Sequence, residues 1–282
     1  MSNDPQFQQA LVEAKRINYQ HGTSYYWATL FFPRKIRAAV HILYAFFRIP
    51  DEIVDHQKEN QSAALAEWFD QWQEAYNKQI SSNVILYATS KIFHQYHIPF
   101  EYSVSFLSAM KQDLEKKRYD TYEDVEQYMY GSAAVVGLIL SYVIGFNDVS
   151  ALAEAKKLGY AMQLTNFLRD IDEDYHDRDR IYFPQIELDQ FGITEKDFIS
   201  RNFSDQFKKF VQYQIAKARQ LYSDGEIGIA KLNRNGRIAV KIAGRLYAAI
   251  LKKIEDQGCN IFLQRARTSG GEKLMIMFKT IL

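Results

Sequence analysis

The sequence predicts an all-α protein, organised as one helical domain over residues 1–282. Proline is rare, with five residues at positions 5, 33, 50, 99 and 184. The long stretches between them place apolar residues at helical spacing, and strict alternation is scarce. No repeat, low-complexity tract or linker divides the chain. A hydrophobic content of 47% is enough for one large core.

The expected helices are, in order, Phe7–Tyr19, Lys35–Asn60, Ala63–Asn77, Asn83–His94, Tyr102–Lys116, Tyr122–Ile144, Val149–Tyr175, Ser204–Leu232, Asn235–Asp256 and Gly271–Leu282. Pro33 suits a helix start, and Pro184 closes an irregular stretch after Tyr175. Gly258 stands where a helix C-cap is expected. The longest nearly apolar run, Ala133–Phe146, has about 14 residues, short of the roughly 20 that cross a bilayer. A buried helix is therefore the reading. Leu274–Leu282 carries apolar residues flanked by Lys273 and Lys279. A docked terminal helix accounts for it, and a helix lying on a membrane surface is the alternative.

Composition narrows the function classes. The formal net charge is +1, so no strong field recruits nucleic acid. Cys259 is the single cysteine. It forms no internal disulfide and belongs to no cysteine metal site, which fits a reducing cytosol. Met1–Ala10 is polar and lacks the apolar core of a signal peptide.

Two aspartate pairs carry the functional signal. Asp51 and Asp55 stack on one face of a helix. Extended backward, that face reads His41, Tyr44, Arg48, Asp51, Asp55. Ile42, Leu43, Ala45, Phe46, Phe47, Ile49, Ile53 and Val54 border it. A surface helix shows a broad polar face; a thin polar stripe between apolar residues is what lines an internal cavity. Buried carboxylates without compensation repel each other, and a bound cation removes that cost. A solvated face with an arginine–aspartate pair is the plain alternative.

Asp170 and Asp174 repeat the spacing. Their face runs Gln163, Asn166, Asp170, Asp174, with Asp177 beyond and Arg169 and Glu173 one residue to the side. The stretch Asp170–Arg180 is so charged that its distal end reads as solvated. Two facing carboxylate pairs offer the hard oxygen ligands that Mg2+ prefers, with Mn2+ as a substitute. Magnesium usually bridges carboxylates to a substrate phosphate, which points to a phosphorylated substrate. Asp113 is a third acidic position, divided between metal ligand and helix-surface residue.

These residues resemble the squalene/phytoene synthase family of head-to-head prenyl transferases, and the likeness covers nearly the whole chain. His21-Gly22-Thr23-Ser24-Tyr25-Tyr26 is similar to the family's N-terminal segment. Tyr44 through Asp55 (YAFFRIPDEIVD) resembles its first aspartate-rich motif. Tyr128 through Gly137 (YMYGSAAVVG) stands for its tyrosine and small-residue helix. Gln163 through Asp174 (QLTNFLRDIDED) resembles its second motif and is followed by Arg180-Ile181-Tyr182-Phe183-Pro184. Arg245 through Leu251 and Phe262 through Arg267 also fit. Pro50, before Asp51-Glu52, departs from the family wording and predicts a kink ahead of the metal site. The Gly-Ser-Ala-Ala run looks more like some phytoene synthases than squalene synthases.

The resemblance implies an isoprenoid-synthase-type helical bundle around a central cavity. It implies that two allylic prenyl diphosphates condense and release diphosphate. The expected product is phytoene from two geranylgeranyl diphosphates, in carotenoid biosynthesis, and the alternative is a squalene or dehydrosqualene synthase using farnesyl diphosphate. Magnesium held by Asp51, Asp55, Asp170 and Asp174 would stabilise the departing charge. Arg48, Arg169 and Arg265 are candidates for diphosphate contacts, Arg48 foremost because it lies on the polar stripe. Tyr44, Tyr130 and Tyr247 match family site positions and can shield a carbocation. His21, Ser24, Tyr25, Gln163 and Asn166 complete the expected substrate contacts. Gly131, Ser132, Ala133 and Ala134 either let an isoprenoid tail pass or pack helices tightly. Whether NADPH reduces the product is open, since no Gly-x-Gly-x-x-Gly run occurs. Apolar substrates imply work in the cytoplasm or peripherally at the inner face of a membrane, with a downstream desaturase as a partner.

Two other classes compete. A di-iron bundle wants two Glu-x-x-His motifs, and only Glu173–His176 exists. A non-catalytic scaffold relative would be expected to lose its aspartates, and all four are here.

Overall fold

The computed structural model of the chain describes residues 4–21, 23–56 and 59–282, leaving out the side chains of His21, Thr23, Ser24, Tyr25 and His56. Every named element among them is helical. The first six are α1 Pro5–His21, α2 Thr23–Thr29, α3 Arg34–His56, α4 Gln61–Lys78, α5 Val84–Tyr96 and α6 Phe100–Glu115. A continuous helix follows, made of α7 Tyr122–Met129, a π turn Tyr130–Ala134 and α8 Val135–Ile144. Then come α9 Ala151–Arg178, α10 Gln185–Gln190, α11 Glu195–Ile199, α12 Asp205–Ile229, α13 Arg234–Asp256 and α14 Gly270–Ile281. The ten helices expected from periodicity are all present. The short α2, α10 and α11 are additional, because five to seven residues hold too little of a helical period to read.

Local chemistry fixes the ends. Asn83 caps α5, its side chain accepting from the N–H groups of Ile85 at 3.0 Å and Leu86 at 3.2 Å. Thr121 with Asp124, and Ser269 with Glu272, close reciprocal capping boxes at α7 and α14. The carbonyls of Pro33 and Pro184 accept from Arg37 at 2.9 Å and Leu188 at 3.1 Å, starting α3 and α10. Gly258 takes φ +67° after α13, letting the Cys259 N–H return to the Ile254 carbonyl at 2.9 Å. Pro50 does not break α3, which runs uninterrupted from Arg34 to His56. The lost backbone bond is offset by deep packing of Phe46, Phe47 and Val54 around it.

The long α9 is the hub. It packs along α12 and against the π turn, α8 and α13. Small residues set these crossings. A Cβ on Gly159 would stand 2.8 Å from Ala134 Cα, and one on Gly228 would stand 2.4 Å from Glu154 Cβ. Gly131 faces α6, where an added Cβ would meet the Ser105 carbonyl oxygen at 2.5 Å. Of the small-residue run, Gly131 therefore serves helix packing, while Ser132 and Ala133 face the interior cavity. On its far side α3 sends Phe46 into a ring cluster with Trp72 and Phe93, and the Trp72 indole donates to Ser103 Oγ at 2.9 Å.

The apolar stretch is longer than the run Ala133–Phe146 suggests. Tyr122–Ile144 forms 23 helical residues, long and apolar enough to cross a membrane by length and composition. It packs instead against α6, α9 and α3 as a core helix.

Gly131→Ala is expected to lower stability by about 1–3 kcal/mol through overpacking against the α6 backbone. Gly271→Ala, where an added Cβ meets nothing within 4 Å, is expected to stay within about 0.5 kcal/mol of the parent. Urea unfolding midpoints of the two variants check this.

Candidate active site

The bundle encloses a cavity of about 520 Å³, lined by α3, α6, the α7–α8 helix, α9, α12 and α13. Its polarity changes along its length. On α3 the lining residues run from Val40 through Tyr44, Phe47 and Arg48 to Asp51 and Asp55. That is about 22 Å at 1.5 Å per residue. On α9 they run from Ala151, Leu158 and Met162 through Gln163 and Asn166 to Asp170 and Asp174. One end is thus apolar, closed by Leu140, Ile144, Ile229 and Leu232, and the other is densely charged.

At the charged end the two aspartate pairs come together, and arginines hold them. Arg178 Nε lies 3.3 Å from Asp55, and its Nη1 lies 3.2 Å from Asp174, so one guanidinium spans both motifs. Arg180 reaches Asp55 at 3.2 Å. Arg169 forks onto Asp170 at 2.8 and 2.5 Å, and Arg265 Nε meets the same carboxylate at 2.7 Å. Arg48 pairs with Asp51 and Glu52. Among the described residues no three carboxylate, imidazole or thiol groups converge as a preformed metal cage.

The electrostatics divide these carboxylates. Burial pushes Asp51 up to about 6, against the opposing pull of Arg48 and with the help of Asp55 and Asp113. Asp174 is raised by burial and by Asp170, which outweigh Arg178. Asp170 is also buried, but Arg169 and Arg265 hold it below the ordinary carboxylate value. The set is therefore short of positive charge around Asp51 and Asp174. A hard divalent cation suits such a donor set, because it favours the ionised oxygens that burial disfavours.

Asp113 differs from the expected ligand. It is 4% exposed, and its two oxygens accept from Tyr128 Oη at 2.7 Å and Tyr182 Oη at 2.9 Å. Tyr182 is also 3.3 Å from Arg180, which completes a buried chain from Asp113 to Asp55. Phe167 and Tyr182 stack at 4.5 Å with planes 7° apart, and Tyr128 lies over Tyr182 at 5.1 Å. Burial raises Asp113 to about 6 despite Arg180 and the two hydroxyls.

Most residues expected from the sequence line this cavity: Tyr44, Arg48, Asp51, Asp55, Asp113, Gln163, Asn166, Arg169, Asp170, Asp174, Tyr247 and Arg265. Asn166 Nδ2 donates to Gln163 at 3.3 Å, while its Oδ1 is buried with no partner. Tyr130 does not line the cavity. It begins the π turn with its ring 5.5 Å from Lys156 Nζ, and Tyr128 takes the inward position. Asp177 points to solvent, because the stripe continues by four to Arg178. His41 is buried beside Tyr26 and does not line the cavity. The side chains of His21, Ser24 and Tyr25 lie outside the described residues.

Sequence reasoning missed Arg178, Arg180, Tyr182 and Phe47. Arg178 continues the α9 stripe by four, and Arg180 and Tyr182 follow from a turn. Asp179 takes φ +55°, and the Arg180 N–H bonds back to the Asp174 carbonyl at 2.8 Å. This reverses the chain and sends Arg180, 6% exposed, inward. Ile181 and Gln185 then bond to the backbone of Lys117 and Tyr119 at 3.0 and 2.8 Å, which seats Tyr182. The charged stretch is therefore solvated only in part. The Glu173–His176 spacing builds no iron site, since Glu173 pairs with Arg265 and His176 with Asp172.

Comparison with known proteins accords with this geometry. The squalene/phytoene synthase family model matches residues 19–272. The chain belongs to that family. A 15-cis-phytoene synthase of Synechocystis sp. is 32% identical, over 93% of this chain and 82% of its own length. That of Synechococcus elongatus is 31% identical, over 94% and 90%. Among solved structures, a dehydrosqualene synthase superposes with a TM-score of 0.91 at 24% identity, over 98% of this chain and 96% of that one. A squalene synthase, HpnC of Alicyclobacillus acidocaldarius, gives 0.84 at 25% identity, over 92% and 98%. The isoprenoid-synthase bundle and the family likeness read from the motifs are both borne out.

Asp113 titrates with a testable sign. Its folded value of about 6 lies above the ordinary 3.8, so the folded state binds this proton more tightly. The stabilisation is complete below about pH 4 and is lost as pH rises through about 6. Asp113→Asn removes the titration. The stability of the variant relative to the parent is expected to rise by about 2 kcal/mol between pH 4 and 7, whatever its offset. Urea unfolding across that range measures it, and a flat difference would rule out the raised value.

Proposed function

We propose that the chain condenses two prenyl diphosphates head to head with release of diphosphate, and that geranylgeranyl diphosphate is converted to phytoene. The single observation behind this reading is a cavity with carboxylates and arginines at one end and an apolar barrel at the other. A prenyl diphosphate has the same polarity, and the most similar curated relatives described above are phytoene synthases. The resemblance to HpnC favours farnesyl diphosphate as the second reading.

In this reading Asp51, Asp55, Asp170 and Asp174 would hold Mg2+, which supplies positive charge to the departing diphosphate. Arg48, Arg169 and Arg265 fork onto the remaining diphosphate oxygens. Arg178 and Arg180 orient Asp55 and Asp174. Tyr44, Tyr247 and Phe47 turn ring faces to the allylic cation, and the apolar walls keep water from it. Asn166, with its unpartnered buried Oδ1, contacts substrate beside Gln163. Asp113 supports the site through Tyr128 and Tyr182 rather than binding metal. The chain acts as one cytoplasmic domain, peripherally associated with the inner face of a membrane, and passes its product to a desaturase.

Asp51→Asn and Asp170→Asn are each expected to slow diphosphate release at least about 100-fold, and chelation of the metal is expected to stop it. Unchanged rates in both variants would refute the assignment. Mass analysis of products from C15 and C20 diphosphates, with and without a reduced nicotinamide, decides substrate and reduction. A second expectation concerns protons. Because Asp51 is held near 6, millimolar Mg2+ should raise the melting temperature at pH 7.5 and lose that effect toward pH 5. An increment that does not change with pH would place the ion elsewhere.

A further inference from the structure

An apolar surface stands beside the cavity. On α14 and at its C-cap, Leu274, Met275, Phe278, Ile281 and Leu282 are 51–89% exposed. The opposite face of the same helix is already committed. Met277 packs with Ile242 and Leu246 of α13, and Arg245 donates to Thr280 at 3.2 Å. The helix is thus apolar on both sides, whereas a helix that merely docks needs one apolar stripe. The expectation of a docked terminal helix explains only half of it.

A second exposed edge lies next to the first. Trp27 of α2 and Leu30, just after it, are 38% and 37% exposed. Ala28, between them, shares one buried cluster with Ile242, Leu246 and Met277, so α2 and α14 flank the same stretch of α13. Ala28 and Thr29 also line the cavity. The exposed apolar edge and the cavity wall are therefore opposite sides of one short helix. The segment that carries this face is mainly basic. From Ala266 to Leu282 the sequence holds Arg267, Lys273 and Lys279 against Glu272 alone. Glu272 is tied to Lys253 and caps its own helix. Exposed Arg34 and Lys35 follow α2 directly.

We propose that the exposed edges of α2 and α14 form a docking surface for an anionic lipid bilayer. Leu274, Phe278, Ile281 and Trp27 enter the headgroup boundary, and the basic side chains meet lipid phosphates. What the surface delivers rests on the prenyl diphosphate reading, since an apolar substrate would reach the cavity past α2. Lipid binding itself needs no substrate, so the two ideas fail separately.

Cosedimentation of the whole chain with vesicles tests it. One set is phosphatidylcholine alone, and the other contains about 30% phosphatidylglycerol, enough to give the negative surface that basic residues sense. The protein is expected to bind the anionic vesicles and to weaken several-fold as salt shortens the Debye length. Trp68 and Trp72 are buried, so a blue shift of tryptophan emission on binding reports Trp27. The double variant Leu274→Asp/Phe278→Asp should lose at least tenfold in vesicle partition with its melting temperature kept. Ile199→Asp, which removes an exposed apolar residue on α11, should bind like the parent. Three results overturn the proposal: no binding of the parent to either vesicle, undiminished binding of the double variant, or a dimer without lipid that the double variant dissolves. The last would assign the face to a second copy of the chain.

Discussion

The facing carboxylates of α3 and α9 are the constraint around which the fold is arranged. Asp51, Asp55, Asp170 and Asp174 are brought to one end of a largely apolar cavity, where each charge costs desolvation energy. No helix pair would tolerate this unaided. Five arginines are directed at the cluster, and they come from α3, α9, the turn after α9 and the segment after α13. The compensation is uneven. Asp170 is held down by two guanidinium groups, while Asp51 and Asp174 stay raised. Such a set is poised rather than neutralised, and in the proposed reaction the deficit is what a metal–diphosphate complex fills.

The close helix crossings serve that arrangement. Gly159, Gly225 and Gly228 let α9 approach its neighbours to the limit of backbone contact. That proximity fixes the rotation of α9 about its axis, and hence which side chains face α3. A change of one residue in register would turn the aspartate stripe by about 100°. The small residues thus act on the site through geometry, and Gly159, Gly225 and Gly228 also form part of the cavity wall.

The long-range order of this chain was legible because its signals are periodic. The stripe from Tyr44 to Asp55 and the stripe from Gln163 to Asp174 each follow the helical repeat, and both line the cavity as the spacing requires. Pro50 is carried inside the helix for an instructive reason. A proline inside a helix costs one hydrogen bond, and a helix buried along Phe46, Phe47 and Val54 absorbs that loss without breaking. Tyr130 stands two residues from Tyr128, on nearly the opposite side of the same helix, so only Tyr128 of the two lines the cavity. Arg180 and Tyr182 were hidden for a third reason. They are placed by a left-handed residue, Asp179, and by backbone bonds to Lys117 and Tyr119, more than sixty positions away in sequence. Turn geometry and long-range pairing leave no period to count.

Arg178 shows how the two aspartate stripes are coupled. It extends the α9 stripe by one more turn, yet its Nε reaches across to Asp55 on α3. A guanidinium there does what a divalent cation does, attracting carboxylates from both helices at once. The two cannot hold the same oxygens to the same degree, because each carboxylate oxygen has limited lone-pair capacity and like charges repel. A Mg2+ held by Asp55 and Asp174 would therefore compete with Arg178 for these carboxylates. A guanidinium so released lies beside the place where diphosphate charge develops, and it cannot lose its proton. The residue that bridges the two aspartate stripes would then also lie where a leaving diphosphate needs positive charge, so one side chain would serve two partnerships.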